Sequence, residues 1–141
     1  MAITDFNEIV DNFDFLDDWE DRYRYVIELG KSMPPLEDVL KVPATKVDGC
    51  ASQVWIVPKI TGSGGSAKFS FRGDSDAMIV RGLIAILSGL YNNVTVNEAI
   101  KIDANHEFSK LGLNEHLSAQ RSNGLRSMVK RLKAVALNAK G

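Results

Sequence analysis

The chain is short of the residues that most often build metal and redox centres. Its 141 residues include one cysteine, Cys50, and two histidines, His106 and His116. One thiol cannot form a disulfide within the chain, and it cannot supply the several thiolates of a zinc ribbon or an iron–sulfur cluster. A metal site would need both histidines together with carboxylates, which is an unusual ligand set. The sequence therefore argues against a resident metal ion.

Net charge and long apolar runs are also scarce. The formal net charge is −1, whereas a protein that binds nucleic acid usually carries a clear basic excess. The longest apolar run, Ala77–Leu87, is interrupted by Arg81 and is too short to cross a bilayer. The first residues contain neither a basic region nor an apolar core of the signal-peptide type. We expect a cytoplasmic protein whose partners are neither nucleic acid nor membrane.

The apolar spacing predicts helices on both sides of a hairpin. The predicted elements are a short helix capped by Thr4, an amphipathic helix that begins after Asp14–Asp18 and ends at Gly30 and Pro34-Pro35, strands at Gln53–Ile60 and Lys68–Arg72, a buried helix from Asp74 or Ser75 to Tyr91, a short helix opened by Thr95 and Glu98, and a last helix from near Ser122. The glycine-rich segment 62–66 favours a hairpin turn over a phosphate loop, because no Lys-Ser or Lys-Thr pair and no helix follow it. We therefore predict a single α+β domain, 1–141, with helices packed on a small, mainly antiparallel sheet.

Cys50 lies at the junction of a turn and a strand. Asp48-Gly49, just before it, favours a turn, and Val54–Val57, just after it, has the composition of a buried strand. A lone cysteine is most often a small residue of the core. A core position, however, has no need to follow an Asp-Gly turn. The sequence therefore makes this thiol, presented from a loop, the candidate functional group.

Several separated motifs resemble those of the SufE family. They are Gly49-Cys50-Ala51-Ser52-Gln53-Val54-Trp55, Phe71-Arg72-Gly73-Asp74-Ser75-Asp76-Ala77, Ile79-Val80-Arg81-Gly82-Leu83 and Leu117-Ser118-Ala119-Gln120-Arg121-Ser122-Asn123-Gly124-Leu125. The upstream segment Tyr23–Gly30, with Pro34-Pro35-Leu36, fits the same pattern. The match runs in order from about Trp19 to Leu137. The N-terminal helix and the glycine-rich loop match less closely.

The resemblance implies a persulfide carrier. In this family a SufS-like cysteine desulfurase takes sulfur from L-cysteine, and the SufE-type protein accepts it on its single cysteine, which corresponds to Cys50 here. The sulfur then passes to a SufBCD-like scaffold that assembles iron–sulfur clusters. Pyridoxal phosphate belongs to the desulfurase, so we expect no resident cofactor. The sequence leaves the oligomeric state open, with a homodimer as one candidate. The implied fold is the two-layer sandwich shared with IscU-type scaffolds.

Sulfur transfer needs a thiolate, and three basic residues of the chain are candidates to stabilise it. An unperturbed thiol has a pKa of about 8.5, so only about 3% of it is thiolate at pH 7. Lys46, Arg72 and Arg121 are the basic residues that could activate it. We also expect the loop to cover Cys50 in the free protein and to expose it on docking, with Gly49 as the hinge.

For several residues near the motifs, a structural role is the alternative to a role in the pocket or in docking. Gln53, Asp74 and Arg121 complete the predicted pocket or docking set, but Arg72, Asp74 and Asp76 also suit helix capping and a local salt bridge. His116 could form a Cys–His pair, although a lone histidine is more often structural.

Two functions from other classes remain open on the sequence. A docking protein could activate a desulfurase while Cys50 is merely structural. A small cysteine hydrolase could use Cys50 with His116 or His106, but it would also need an oxyanion site and an orienting acid. Whether the protein counts as an enzyme is itself open, because a sulfur carrier is modified in each cycle and stimulates the turnover of its partner.

Overall fold

The computed structural model describes residues 5–50 and 52–140. These residues form helices before, between and after the strands of one small sheet. The helices are α1 (Phe6–Phe15), α2 (Trp19–Ser32), α3 (Met78–Tyr91), α4 (Val96–Lys101), α5 (Ala104–Lys110), α6 (Leu113–His116) and α7 (Ala119–Lys140), and the strands are β1 (Val54–Thr61), β2 (Lys68–Ser75) and β3 (Val94–Thr95). Short 3-10 turns lie at Asp38–Leu40 and Gly64–Ser66. No helix in the described ranges is long and apolar enough to cross a membrane.

The sheet has the strand order β1-β2-β3, and both pairs are antiparallel. β1 and β2 form the predicted hairpin, in register from Val54 opposite Ser75 to Thr61 opposite Lys68. The turn begins at Gly62, whose φ of 100° suits glycine. Alternate side chains of the hairpin point to one face, as expected for a sheet covered on one side. The buried members of that face include Val54, Ile56, Phe69 and Phe71.

Helix α3 covers this face, and α2 packs closely on α3. Ile84 and Leu87 of α3 are fully buried, and a Cβ atom added to Gly73 of β2 would lie 2.9 Å from Cγ2 of Ile84. A Cβ atom at Gly82 would lie 2.1 Å from the carbonyl oxygen of Val26 in α2. Glycine at these two positions therefore lets backbone approach its neighbours to a distance that no side chain would allow. The predicted α+β architecture is confirmed.

Several element boundaries differ from the prediction. β2 continues past Arg72 because Gly73, Asp74 and Ser75 stay paired with β1. α3 consequently begins at Met78, and the Ser75 hydroxyl accepts a hydrogen bond from the Ala77 N–H at its start.

The other differences lie at helix ends and in the sheet. α2 continues through Gly30 to Ser32, and α7 begins at Ala119 rather than near Ser122. β3 was not predicted, because two residues are too few to show a strand period.

The predicted caps have mixed outcomes. Asp18 caps α2 by accepting from the N–H of Glu20 at 3.0 Å. Thr95 and Glu98 form the predicted capping box of α4. The predicted cap Thr4 lies outside the described residues.

Candidate functional site

The chain that leads to Cys50 is held as an extra strand at the free edge of β1. Val47 donates its N–H to the carbonyl of Val54, and Ile56 donates to the carbonyl of Thr45, both at 2.8 Å. Lys46 lies opposite Trp55 between these two bonds. We call residues Thr45–Val47 the stem. Asp48 and Gly49 then form the turn, and Gly49 has a φ of 88° that favours glycine.

The thiol of Cys50 lies against the N-terminal half of α7. Its Sγ atom is 3.7 Å from the carbonyl oxygen of Gly124. A Cβ atom added to Gly124 would be 3.5 Å from Sγ, and one added to Gly49 would be 2.5 Å from Oγ of Ser127. A side chain at Gly49 would therefore clash with Ser127, whereas a Cβ atom at Gly124 would make an ordinary contact with the thiol.

A cavity of about 270 Å³ opens beside the thiol. Its apolar wall is formed by Val54, Val80, Leu83 and Met128, all of which are buried. Polar residues that also line it include Ser118, Gln120 and Arg121, at the start of α7. Cys50 is half-buried. The site thus places one thiol between an apolar pocket and a polar rim.

The surroundings of Cys50 disfavour the thiolate. Burial raises the pKa of the Cys50 thiol, and the nearby carboxylate of Asp48 raises it further. In this conformation the thiol is therefore protonated at neutral pH and is a weak nucleophile. Of the three basic residues predicted to activate it, only Arg121 lines the cavity. Lys46 lies in the stem with its side chain exposed.

Arg72 lies elsewhere. It forms a bidentate ion pair with Glu37, with N–O distances of 3.1 and 2.9 Å. Its side chain is half exposed on β2 and lines a separate groove together with Lys59 and Asn92. The structure therefore does not bring Arg72 to the thiol.

Asp74 is buried in a hydrogen-bonded cluster. Its carboxylate accepts from the N–H groups of Leu36 and Ser75 at 2.9 and 2.8 Å, and it forms ion pairs with Arg81 and, at 3.4 Å, with Lys41. Burial alone would raise the pKa of Asp74, but the two backbone hydrogen bonds and the two cations lower it below its usual value. Asp74 therefore fixes the segment around Leu36 to the end of β2 and does not line the cavity.

Gln53 and Asp76 join the far side of the Cys50 loop to the start of α3. The N–H of Gln53 donates to Oδ1 of Asp76 at 3.0 Å, and the N–H of Asp76 donates to the carbonyl of Gln53 at 3.3 Å. The Gln53 side chain is exposed and does not line the cavity. Asp76 thus tethers the segment after Cys50 to the start of α3, and among the described residues it neither caps that helix nor forms a salt bridge.

Neither histidine reaches the thiol cavity. The ring of His116 stacks on Trp19, with centroids 3.6 Å apart and an interplanar angle of 20°, and the Tyr23 hydroxyl donates to its carbonyl. His106 is exposed on α5, where its N–H donates to the Asp103 side chain at 3.2 Å. In the described part of the chain, no group of three or more His, Cys, Asp or Glu residues could hold a metal ion.

Several site residues were not singled out from the sequence. Val80, Leu83 and Met128 form the apolar wall, and at sequence level they cannot be told from other core residues. Gly124 gave the one usable signal, because an isolated glycine within a helical pattern often has a packing or functional reason. Here that reason is contact with the thiol.

Fold and site together define an α+β domain that shelters a single thiol beside a small cavity. The model of the SufE family, described as an Fe-S metabolism associated domain, matches residues 7–136. The chain belongs to the SufE family.

Two relatives agree with this assignment, and a solved structure shares the fold. An uncharacterized SufE-like protein of Rhizobium meliloti is 52% identical over 134 residues, which are 95% of this chain and 96% of that protein. One of Rhizobium etli is 54% identical over 136 residues, 96% of this chain and 92% of that protein. The solution structure of a hypothetical protein from Thermus thermophilus covers 99% of this chain and 98% of its own, with a TM-score of 0.72 and 18% identity. That last likeness concerns the fold alone.

Proposed function

We propose that this protein is a persulfide carrier that accepts sulfur from a cysteine desulfurase on Cys50 and passes it to an iron–sulfur cluster scaffold. Membership of a family associated with Fe–S metabolism supports the pathway. The observation that carries the proposal is the position of the single thiol beside a cavity of about 270 Å³. That space has room for a second sulfur atom on Sγ.

The proposed transfer is a thiol–disulfide exchange. The thiolate of Cys50, once its proton has left, attacks the outer sulfur of the persulfide on the partner's cysteine. A new S–S bond forms on Cys50, the S–S bond of the donor breaks, and its electron pair leaves on the donor's cysteine thiolate. Attack by the next acceptor repeats the exchange and returns Cys50 as a thiolate. No external oxidant or reductant is needed.

The resting thiol must be activated before this exchange. Its raised pKa and half-buried position make the Cys50 thiol a poor nucleophile in the resting protein. We propose that docking swings the turn at Gly49 away from α7, which relieves the burial of the thiol and exposes it to the donor persulfide. Lys46, Gln53 and Arg121, all exposed around this turn, are the residues that a partner would meet first.

Other parts of this proposal rest on the family. Docking roles for Arg72 and Asp74 stay predictions, because both lie outside the cavity lining. Pyridoxal phosphate would be supplied by the desulfurase, and a cytoplasmic location and a homodimer remain expectations. The hydrolase alternative gains no support, since neither histidine lines the cavity.

Intact mass after incubation with a cysteine desulfurase, pyridoxal phosphate and L-cysteine tests the proposal. We expect a gain of one sulfur, about 32 Da, that a reductant reverses and that Cys50→Ser abolishes. His116→Ala should accept sulfur as the wild type does. No gain with a desulfurase that is active and bound to the protein would refute the carrier and favour a docking-only activator.

A further inference from the structure

The stem before Cys50 has two hydrogen-bonding edges. One edge is used by β1, through the carbonyl of Thr45 and the N–H of Val47. In an extended chain successive carbonyls point to opposite sides, so the carbonyl of Lys46 points to the other edge. An open strand edge leaves such groups without backbone partners. Ala44 lies in the turn just before the stem.

Arg131 of α7 occupies that second edge. Its Nη2 atom donates to the carbonyl of Lys46 at 2.7 Å, and its Nη1 atom donates to the carbonyl of Ala44 at 3.4 Å. The planar guanidinium presents several donors in a fixed fork, so it can bond two nearby backbone carbonyls at once. Hydrogen bonds from a charged donor are stronger than those between neutral groups. Arg131 therefore closes the stem between β1 and α7.

The position of Arg131 on α7 links this closure to the thiol. Gly124, which contacts Cys50, lies seven residues earlier on the same helix, about two turns or 10 Å away. Helix α7 thus holds the loop at two places, by close packing at its tip and by hydrogen bonds at its stem. Among the residues that the structure describes, the contact at the tip consists of van der Waals packing and one weak bond to sulfur.

We propose that Arg131 is a positioning residue that keeps the Cys50 loop closed on α7, and that loss of its two hydrogen bonds precedes exposure of the thiol. The proposal deepens the proposed function, since it rests on a thiol that must emerge to receive sulfur. The neighbouring cations do not share this role. Arg126 bonds Asn123 within its own helix, and Lys130 is exposed.

Alkylation of Cys50 by iodoacetamide in the free protein tests this inference without any desulfurase. Arg131→Met keeps an unbranched apolar stem but removes the donors, and we expect it to raise the alkylation rate at neutral pH about tenfold. Arg131→Lys, which can donate to one carbonyl, should give an intermediate rate. Arg126→Met, a matched change on the same helix, should alkylate as the wild type does.

The pH profile of alkylation separates positioning from general destabilisation. Asp48, whose carboxylate raises the pKa of the thiol, and Arg121, which lines the cavity, remain in every variant. Release of the loop should lower the apparent pKa of Cys50, and amide exchange should accelerate within residues 44–50 alone. Exchange that accelerates throughout the domain, or a rate equal to that of Arg126→Met, would overturn the proposal. Failure of sulfur uptake in the wild type would leave these results intact and would refute only the carrier function.

Discussion

The Sγ atom of Cys50 lies 3.7 Å from the carbonyl oxygen of Gly124, a residue 74 positions later in the chain. Glycine within a helix costs about 1 kcal/mol relative to alanine. Gly124 lies in the interior of the 22-residue helix α7, so the chain bears this cost next to its only thiol. Gly124 also lines the cavity beside Sγ, where the proposed function would place a second sulfur atom.

Substitution at Gly124 should therefore separate stability from sulfur uptake. Gly124→Leu would fill the space beside Sγ, and we expect persulfide formation, followed by intact mass, to fall at least tenfold while the protein stays folded. Gly124→Ala, whose Cβ atom would make an ordinary 3.5 Å contact with Sγ, should raise the unfolding free energy by up to about 1 kcal/mol and reduce uptake less. Ala134→Leu, on the exposed face of α7, controls for added bulk. Wild-type uptake in Gly124→Leu would contradict a cavity that houses the sulfur.

The charge of Asp48 should tune the reactivity of the thiol. Burial is the largest cause of the raised pKa of Cys50, and the charge of Asp48 is the second. Removal of that charge should therefore lower the pKa of Cys50. Asp48→Asn replaces Asp-Gly by Asn-Gly, which favours the same turn. The pH profile of Cys50 alkylation in this variant should shift to lower pH, with a faster rate at pH 7. Asp17→Asn, an exposed site in the connection between α1 and α2, should not change the profile. A profile equal to that of the wild type would show that burial alone sets the pKa.

The large elements of this fold could be predicted because each carries a strong local signal. The hairpin follows from alternation around a glycine-rich turn, α3 from its nearly continuous apolar surface, and α4 from its capping box. Boundaries were harder, because β2 extends to Ser75 only through pairing with residues 54–56. That pairing is a tertiary contact with no local pattern.

The site divided along the same line. Cys50 and Gly49 were predicted from the Asp48-Gly49 turn, and Arg121 from a family motif. The apolar wall combines β1, α3 and α7, and the role of Arg131 depends on which side of α7 meets the stem. Arg131 and Lys46 are 85 positions apart in the chain. Arg72 and Asp74 were predicted with the pocket because they precede the buried helix, yet their partners are Glu37 and Arg81.

The contact of α2 with α3 should tolerate no side chain at Gly82. A Cβ atom there would lie 2.1 Å from the carbonyl oxygen of Val26 and 2.5 Å from its Cγ1 atom, so the two helices would have to separate. Overpacking of this kind costs about 1–3 kcal/mol. We therefore expect Gly82→Ala to lower the unfolding free energy, measured by urea titration, by about 1 kcal/mol or more. Gly124→Ala is a matched contrast, because it makes the same change within a helix where the nearest atom would be 3.5 Å away. Equal stability of Gly82→Ala and wild type would contradict the described helix packing.

The buried carboxylate of Asp74 should make part of the stability depend on pH. Its pKa is lowered in the folded protein, so its contribution is complete above the unfolded value of about 3.9 and disappears as the pH falls through the folded value. Asp74→Asn leaves Arg81 without its buried partner, and at pH 7 we expect a loss on the order of 3 kcal/mol in urea titration. The difference from wild type should shrink below about pH 4. The control Asp38→Asn removes an exposed partner of Lys41 at 3.9 Å and should change the unfolding free energy by less than about 1 kcal/mol. If the stability deficit of Asp74→Asn stayed constant down to about pH 2, the ion-pair explanation would be contradicted.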